Sequence, residues 1–231
     1  MERYQRRRAP WFRTKDWVFT GIGLMSAYVL YHNERFLIDA ADPMRAHFAP
    51  FKWWLLPHGA AGACAVLVAP LQFSDRLRRR WPRWHRISGR IYVIGVLILA
   101  PLGAYIEYFE ERLGSARSFT IATGADAALL LVTTSIAFFY ALKRKIPQHR
   151  QWMTRSYAVA LVFFESRFIL GVTGWDALGE GVAETVVWTC LAFAILLGDL
   201  VNQWQEPRAA SAARQFVESG SLLNRSTIVE E

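Results

Sequence analysis

Two segments of the 231-residue chain carry the side chains best suited to chemistry: Pro82-Arg83-Trp84-His85-Arg86-Ile87-Ser88-Gly89-Arg90 and Pro147-Gln148-His149-Arg150-Gln151-Trp152-Met153-Thr154-Arg155. Each sets a histidine within a turn of a proline suited to a first helical position, with arginines around it. Each also stands between long apolar runs, where ionisable residues are costly and often functional. Two neutral imidazoles facing each other across a bundle can ligate one haem iron, with Arg86, Arg90, Arg150 and Arg155 placed to hold its propionates. The same pair can instead bind a quinone or a lipid headgroup, or anchor two helix ends in the headgroup layer. A ligand in the first helical turn is poorly placed to share the apolar slot a haem needs. The alternatives stay open at this point.

A second group lies toward the opposite face. His58 opens the small-residue stretch His58-Gly59-Ala60-Ala61-Gly62-Ala63, and Ala122-Thr123-Gly124-Ala125-Asp126 enters from the same side. Small residues at four-residue spacing admit either a closely packed backbone or a flat ligand. Glu165-Ser166-Arg167 lies within an apolar run, so Arg167 is expected to face the bundle or a wet cavity. Counted from the ends of their helices, His58, Asp126 and Arg167 come to comparable depth, which suggests a polar cluster with Glu165 or Glu107 beside it. Such a cluster would serve a transporter or a small-molecule binding protein; otherwise Asp126 and Arg167 form a buried ion pair that fixes helix register. His149 and Arg167 are 18 residues apart, five turns of an unbroken helix, and their shared face carries Met153, Ser156 and Ala160.

The elements that position these groups follow from the apolar pattern. Hydrophobic residues make up 53% of the chain and charged residues 20%, more apolar than a soluble domain. Six apolar runs predict helices at about Asp16–Tyr31, Phe51–Phe73, Trp84–Phe109, Phe119–Leu142, His149–Val172 and Ala183–Gln203. The expected fold is all-α: an integral membrane six-helix bundle over residues 1–205, with helices two to five as a four-helix core and residues 206–231 as a flexible cytoplasmic tail. The net charge of +8 does not indicate nucleic acid, because the basic residues sit in short loops and act as topology signals. The N-terminus, the loop Ser74–Arg80 and the loop Lys143-Arg144-Lys145 are basic, whereas the alternate loops carry most of the loop acids, which predicts both termini in the cytoplasm. Nine of the ten tryptophans fall at or near helix ends, and only Trp188 lies inward. The basic start, Met1 to Lys15, leads into a run with no small-residue cleavage site at its end and reads as an uncleaved first helix. Cys64 and Cys190 lie inside apolar runs without metal-type spacing. No phosphate-binding loop, HExxH zinc pattern or nucleophile elbow is present.

Helices two and three form an apolar hairpin with a basic loop, then Pro, then His-Arg; helices four and five do the same about 64 residues later. A duplication of this kind would place a site at the repeat interface. Any basic loop followed by a helix-starting proline would also look alike.

At His58-Gly59, Gln72, His85-Arg86 with Gly89-Arg90 and Tyr92, and His149-Arg150 with Trp152-Met153 and Arg155-Ser156-Tyr157-Ala158, the chain resembles a family of predicted bacterial membrane proteins known as domain of unknown function 2306. The resemblance spans about helices two to five and implies an architecture more than a function. More distantly, the chain looks like the superfamily of di-haem b-type membrane cytochromes, whose four-helix core pairs histidines from alternate helices. His85 with His149 would match one such pair. The second pair has no counterpart, because Ala122 to Asp126 stands opposite His58. The resulting expectation is a redox-type subunit of a bacterial cytoplasmic (inner) membrane, holding one haem b or a quinone near His85 and His149. Its partners would be the lipid bilayer and a quinone or redox protein. The rivals are a transporter or binding protein using His58, Asp126 and Arg167, and a non-catalytic assembly subunit.

Overall fold

The computed structural model describes the backbone of residues 14–33, 35, 39 and 41–229, and within these the side chains of residues 17–204. The basic segment read as leading into an uncleaved first helix lies mostly outside the described residues. The helices are α1 (Thr14–Asn33), α2 (Met44–Phe48), α3 (Lys52–Gln72), α4 (Asp75–Arg80), α5 (Pro82–Leu113), α6 (Arg117–Leu142), α7 (Ile146–Ala160), α8 (Val162–Thr173) and α9 (Glu180–Val229), with short 3-10 turns at Ala49–Phe51 and Trp175–Leu178. Among the described residues there is no strand, and the protein is an all-α membrane bundle.

Five stretches are long and apolar enough to cross a bilayer: Met44–Gln72, Pro82–Leu113, Arg117–Leu142, Ile146–Thr173 and Glu180–Trp204. They correspond to the second through sixth expected helices. The first, α1, is 20 residues long with polar ends, Thr14-Lys15-Asp16 and His32-Asn33, and is not among those five. Helix α9 continues past residue 205, where the sequence suggests a tail, as one backbone helix to Val229.

Local chemistry sets the helix ends. Pro82 occupies the first turn of α5, where its missing N–H costs nothing. Gly114 (φ 119°) and Gly174 (φ 69°) close α5 and α8 in the left-handed region that favours glycine. Ser74 caps α4 by accepting the Leu77 N–H at 3.2 Å.

Helices in lipid gain nothing from burying one aliphatic surface rather than another, so small side chains that let backbones approach must hold them together. The buried residues follow that rule. On α3 they include Ala61, Gly62, Ala65 and Ala69, and on α6 Ala122, Thr123, Ala127 and Thr134. A Cβ on Gly95 of α5 would lie 3.1 Å from the Ala61 carbonyl, so α3 and α5 touch backbone to backbone. The large apolar side chains point outward instead: Ile94, Leu97 and Ile98 on α5, Phe193, Leu196 and Leu200 on α9. This is the surface that meets the lipid bilayer.

Helices α3, α5, α6 and α7 pack in that ring order, with α5 and α7 on opposite corners. The α3–α7 side of the ring is the loosest. An aromatic triangle closes it at the end where the basic loops lie, with Phe19 of α1 5.8 Å from Phe73 and 6.5 Å from Tyr157 between ring centroids. Helix α9 covers α7 and α8. In the middle of the ring, Ser156 of α7 shares hydrogen bonds of 2.7 Å with both Tyr92 of α5 and Thr134 of α6. All three side chains are fully buried.

The fifth expected helix is not one helix. The Leu161 N–H bonds the Ala158 carbonyl at 3.2 Å, a tightened turn that separates α7 from α8. The buried stripe runs through Met153, Ser156 and Ala160 as the helical phase predicts, but beyond the break it passes through Val162 and Ser166. Arg167, expected to face the bundle or a wet cavity, is exposed.

Replacing Ser156 with Ala strands both the Tyr92 and Thr134 hydroxyls, and should lower stability in detergent by about 1–2 kcal/mol, whereas Tyr92→Phe, which leaves the Ser156–Thr134 bond, should cost roughly half as much. Thermal melts of the two variants check the order, and a larger loss for Tyr92→Phe would contradict it.

Candidate functional site

At the end carrying the basic loops, the first turns of α5 and α7 run in parallel on opposite corners of the ring. His149 Nδ1 lies 2.8 Å from the Ala137 carbonyl of α6. A carbonyl only accepts, so Nδ1 carries the proton and the lone pair sits on Nε2. This is the arrangement by which a backbone carbonyl orients an imidazole for ligation. His85 is half-buried, and its Nδ1 is fully buried without a hydrogen-bond partner. Each imidazole also lies within the other's electrostatic reach.

Gln72, at the end of α3, fixes the first turn of α5. Its Nε2 donates to the His85 carbonyl at 3.2 Å and to the Ser88 hydroxyl, which in turn donates to the Trp84 carbonyl at 2.7 Å. A Cβ on Gly89 would lie 3.2 Å from Gln72 Oε1, so a glycine there gives the amide room. By sequence alone, the place of Gln72 near a helix end is explained by solvation. The small residues Ser88 and Gly89 opposite it are the signal that a packed partner is needed.

The arginines divide. Arg86, Arg90 and Arg150 are exposed around the two histidines. Arg155 is committed elsewhere: its Nε donates to Asp199 Oδ1 of α9 at 2.7 Å, and its guanidinium lies 4.9 Å from the Trp152 ring centroid. Gly198 allows this, since a Cβ there would be 3.2 Å from Arg155 Cγ. One turn further along α9, Asn202 donates to the Gln151 carbonyl at 3.2 Å. Arg155 and Asn202 thus bind α9 to α7. Asp199 reads from sequence as a solvated helix-end acid, because a pair 44 residues apart leaves no local pattern.

The second group does not assemble as a single cluster. His58 Nδ1–H donates to the Leu99 carbonyl at 3.0 Å, and its ring lies against Gly103, where an added Cβ would come 2.9 Å from Cε1. Arg167 lies within electrostatic reach of His58 and Glu107, and Glu165 within reach of Cys190 on α9. Asp126 is 5% exposed on α6, and its Oδ1 makes no hydrogen bond.

Among the described residues, no group of three or more His, Cys, Asp and Glu side chains could hold a metal ion. Axial ligation of a haem needs only two imidazoles, since the porphyrin supplies the other four nitrogens. The Ala137 bond leaves Nε2 of His149 outside that contact, and Nδ1 of His85 makes no hydrogen bond.

Residues 55–202 match the family model described as Predicted membrane protein (DUF2306). None of the curated proteins and none of the solved structures matches the chain.

Gly103→Ala should cost about 1–3 kcal/mol by driving a Cβ into the His58 ring, and most of that cost should disappear in a His58→Ala background. A double-mutant cycle of thermal stabilities measures it; equal costs in both backgrounds would mean that the ring does not set the limit.

Proposed function

We propose that this chain, which belongs to the predicted membrane protein family DUF2306, is a redox-type membrane subunit whose His85 and His149 hold a single b-type haem at its basic end. The observation that carries this reading is the Nδ1–H bond from His149 to the Ala137 carbonyl, which leaves Nε2 as an oriented ligand across from a half-buried histidine on a parallel helix. Arg86, Arg90 and Arg150 are the cations available to the propionates. Arg155 is left out, since Asp199 already holds it. A bound haem would supply one-electron transfer.

The surroundings support one site and not two. Seven residues beyond each histidine, about 10 Å along the helices, Tyr92 and Ser156 close the interior with a direct hydrogen bond. On the far side of that bond, α6 presents Ala122 and Asp126 where a second histidine pair would need a ligand. By the positive-inside rule the basic end lies in the cytoplasm of a bacterial inner membrane, so electrons would be exchanged with a cytoplasmic donor or a quinone near that face.

Protein purified from haem-replete cells should show a Soret band and a pyridine haemochrome spectrum. His149→Ala and His85→Ala should each abolish both, Arg150→Ala should lower haem occupancy, and Arg155→Ala should leave the spectrum intact while reducing stability. Wild-type protein without a Soret band would rule out the haem.

A further inference from the structure

Two buried oxygens on α6 have no partner. Asp126 Oδ1 and Thr123 Oγ1 are each inaccessible and make no hydrogen bond. The residues are 5% and 4% exposed and lie three apart in sequence, hence on one face of the helix, the face that enters the bundle. A backbone carbonyl commonly satisfies a helical threonine in lipid, as the Thr133 hydroxyl does with the Leu129 carbonyl at 2.7 Å. Thr123 does not follow that pattern.

The charged and titratable groups on the neighbouring helices have other residues in their surroundings. On α3, His58 bonds the Leu99 carbonyl; on α5, Glu107 is influenced by Glu110, Arg167 and Glu180; on α8, Glu165 acts on Cys190 of α9, and Arg167 on His58 and Glu107; on α9, Glu184 accepts from Trp188. A bare carboxylate surrounded by lipid and apolar side chains is too costly to persist. It is neutralised where it stands, either by a bound proton or by a metal cation.

Two neighbouring helices carry a tightened turn or a proline on the same side of the hydroxyl triad. Thr134 and Ser156 meet, so their 2.7 Å contact sets the register of α6 against α7 and α8. Counting from that contact at 1.5 Å per residue, Asp126 lies about 12 Å further along and the Leu161 break about 7.5 Å. From Tyr92, which bonds the same Ser156, Pro101 of α5 lies about 13.5 Å along. Proline removes a helical donor, and a tightened turn redirects one. In lipid, such interruptions are tolerated where they border a polar cavity, and broken helices border many intramembrane ion sites.

We propose that Asp126 and Thr123 form an intramembrane site for a small monovalent cation, either a proton or a sodium ion. The carboxylate supplies the charge and the threonine hydroxyl an additional oxygen. The site is separate from the histidine pair, and the hydroxyl bonds of Ser156 lie between the two.

The test uses the full-length protein in lipid nanodiscs, melted across a range of pH and of sodium chloride at constant ionic strength held with choline chloride. Wild-type protein should gain about 3 °C or more per tenfold rise in the bound cation, and Asp126→Asn should lose that dependence. Sodium dependence identifies sodium as the occupant, with Thr123→Val weakening the response. Pronounced stabilisation at low pH, absent from Asp126→Asn and independent of sodium, identifies the proton. Labelling with dicyclohexylcarbodiimide, which attacks protonated carboxyls in apolar surroundings, should mark Asp126, with protection by the identified cation if it is sodium. Identical melting of wild type and Asp126→Asn under all conditions would overturn the proposal, as would labelling of Glu107 or Glu165 with Asp126 untouched. Retention of any haem spectrum in Asp126→Asn separates this outcome from the fate of the histidine site.

Discussion

A bilayer gives apolar helices no reason to prefer one another over lipid, so a membrane bundle is specified by close backbone approach and by polar contacts that lipid cannot replace. Here the central contact is the hydroxyl triad of Tyr92, Ser156 and Thr134, fully buried and held by two bonds of 2.7 Å. It joins three helices of the ring at one depth, two of them from opposite corners. Sliding α7 by one residue would strand three hydroxyls in a region with no water. The register that brings His85 level with His149 is therefore fixed two turns away by groups that never touch the site.

The triad also bears on the internal repeat. Tyr92 and Ser156 are 64 residues apart, the same offset as His85 and His149, so positions matched by sequence face one another across the ring. Equivalent positions meet in this way when two hairpins are related by a twofold axis along the bundle. The strong packing of α3 on α5 and of α6 on α7 has the same form. The correspondence is incomplete, because α5 packs closely on α6 whereas α3 and α7 are held apart and α1 fills that side with Phe19. His58 and Ala122 are also matched by the offset. An imidazole thus stands in one half where the other has a methyl group.

The features legible in the sequence were those with a period or a local signature. Apolar length marked the transmembrane helices, prolines marked the starts of α5 and α7, and the phase of Met153, Ser156 and Ala160 identified the inward face of α7. The features not legible depend on contacts between distant residues or on a backbone deviation without a glycine or proline. Tyr157-Ala158-Val159-Ala160-Leu161-Val162 has no residue that breaks a helix, yet the turn tightens at Leu161 and shifts the inward face away from Arg167. Equal depth along separate helices was a sound argument for His58, Asp126 and Arg167, but depth does not determine azimuth. The partner of Arg155 is likewise not legible, since only the fold shows that α9 brings Asp199 to it.

What remains is how the two polar regions relate. The histidine pair lies on the α5–α7 diagonal at the basic end, and Asp126 lies on α6 beyond the triad. Between Asp126 and the histidine pair stands Ser156, whose hydroxyl is already shared between Tyr92 and Thr134. Hydroxyls in a closed chain can rotate and exchange donor roles, but they give up a bond whenever they do so. The triad therefore acts as an insulating floor in the ground state, and coupling between the ends would require the bundle to open where it is best hydrogen-bonded. The tightened turn at Leu161 and the proline within α5, Pro101, both lie on the Asp126 side of that floor.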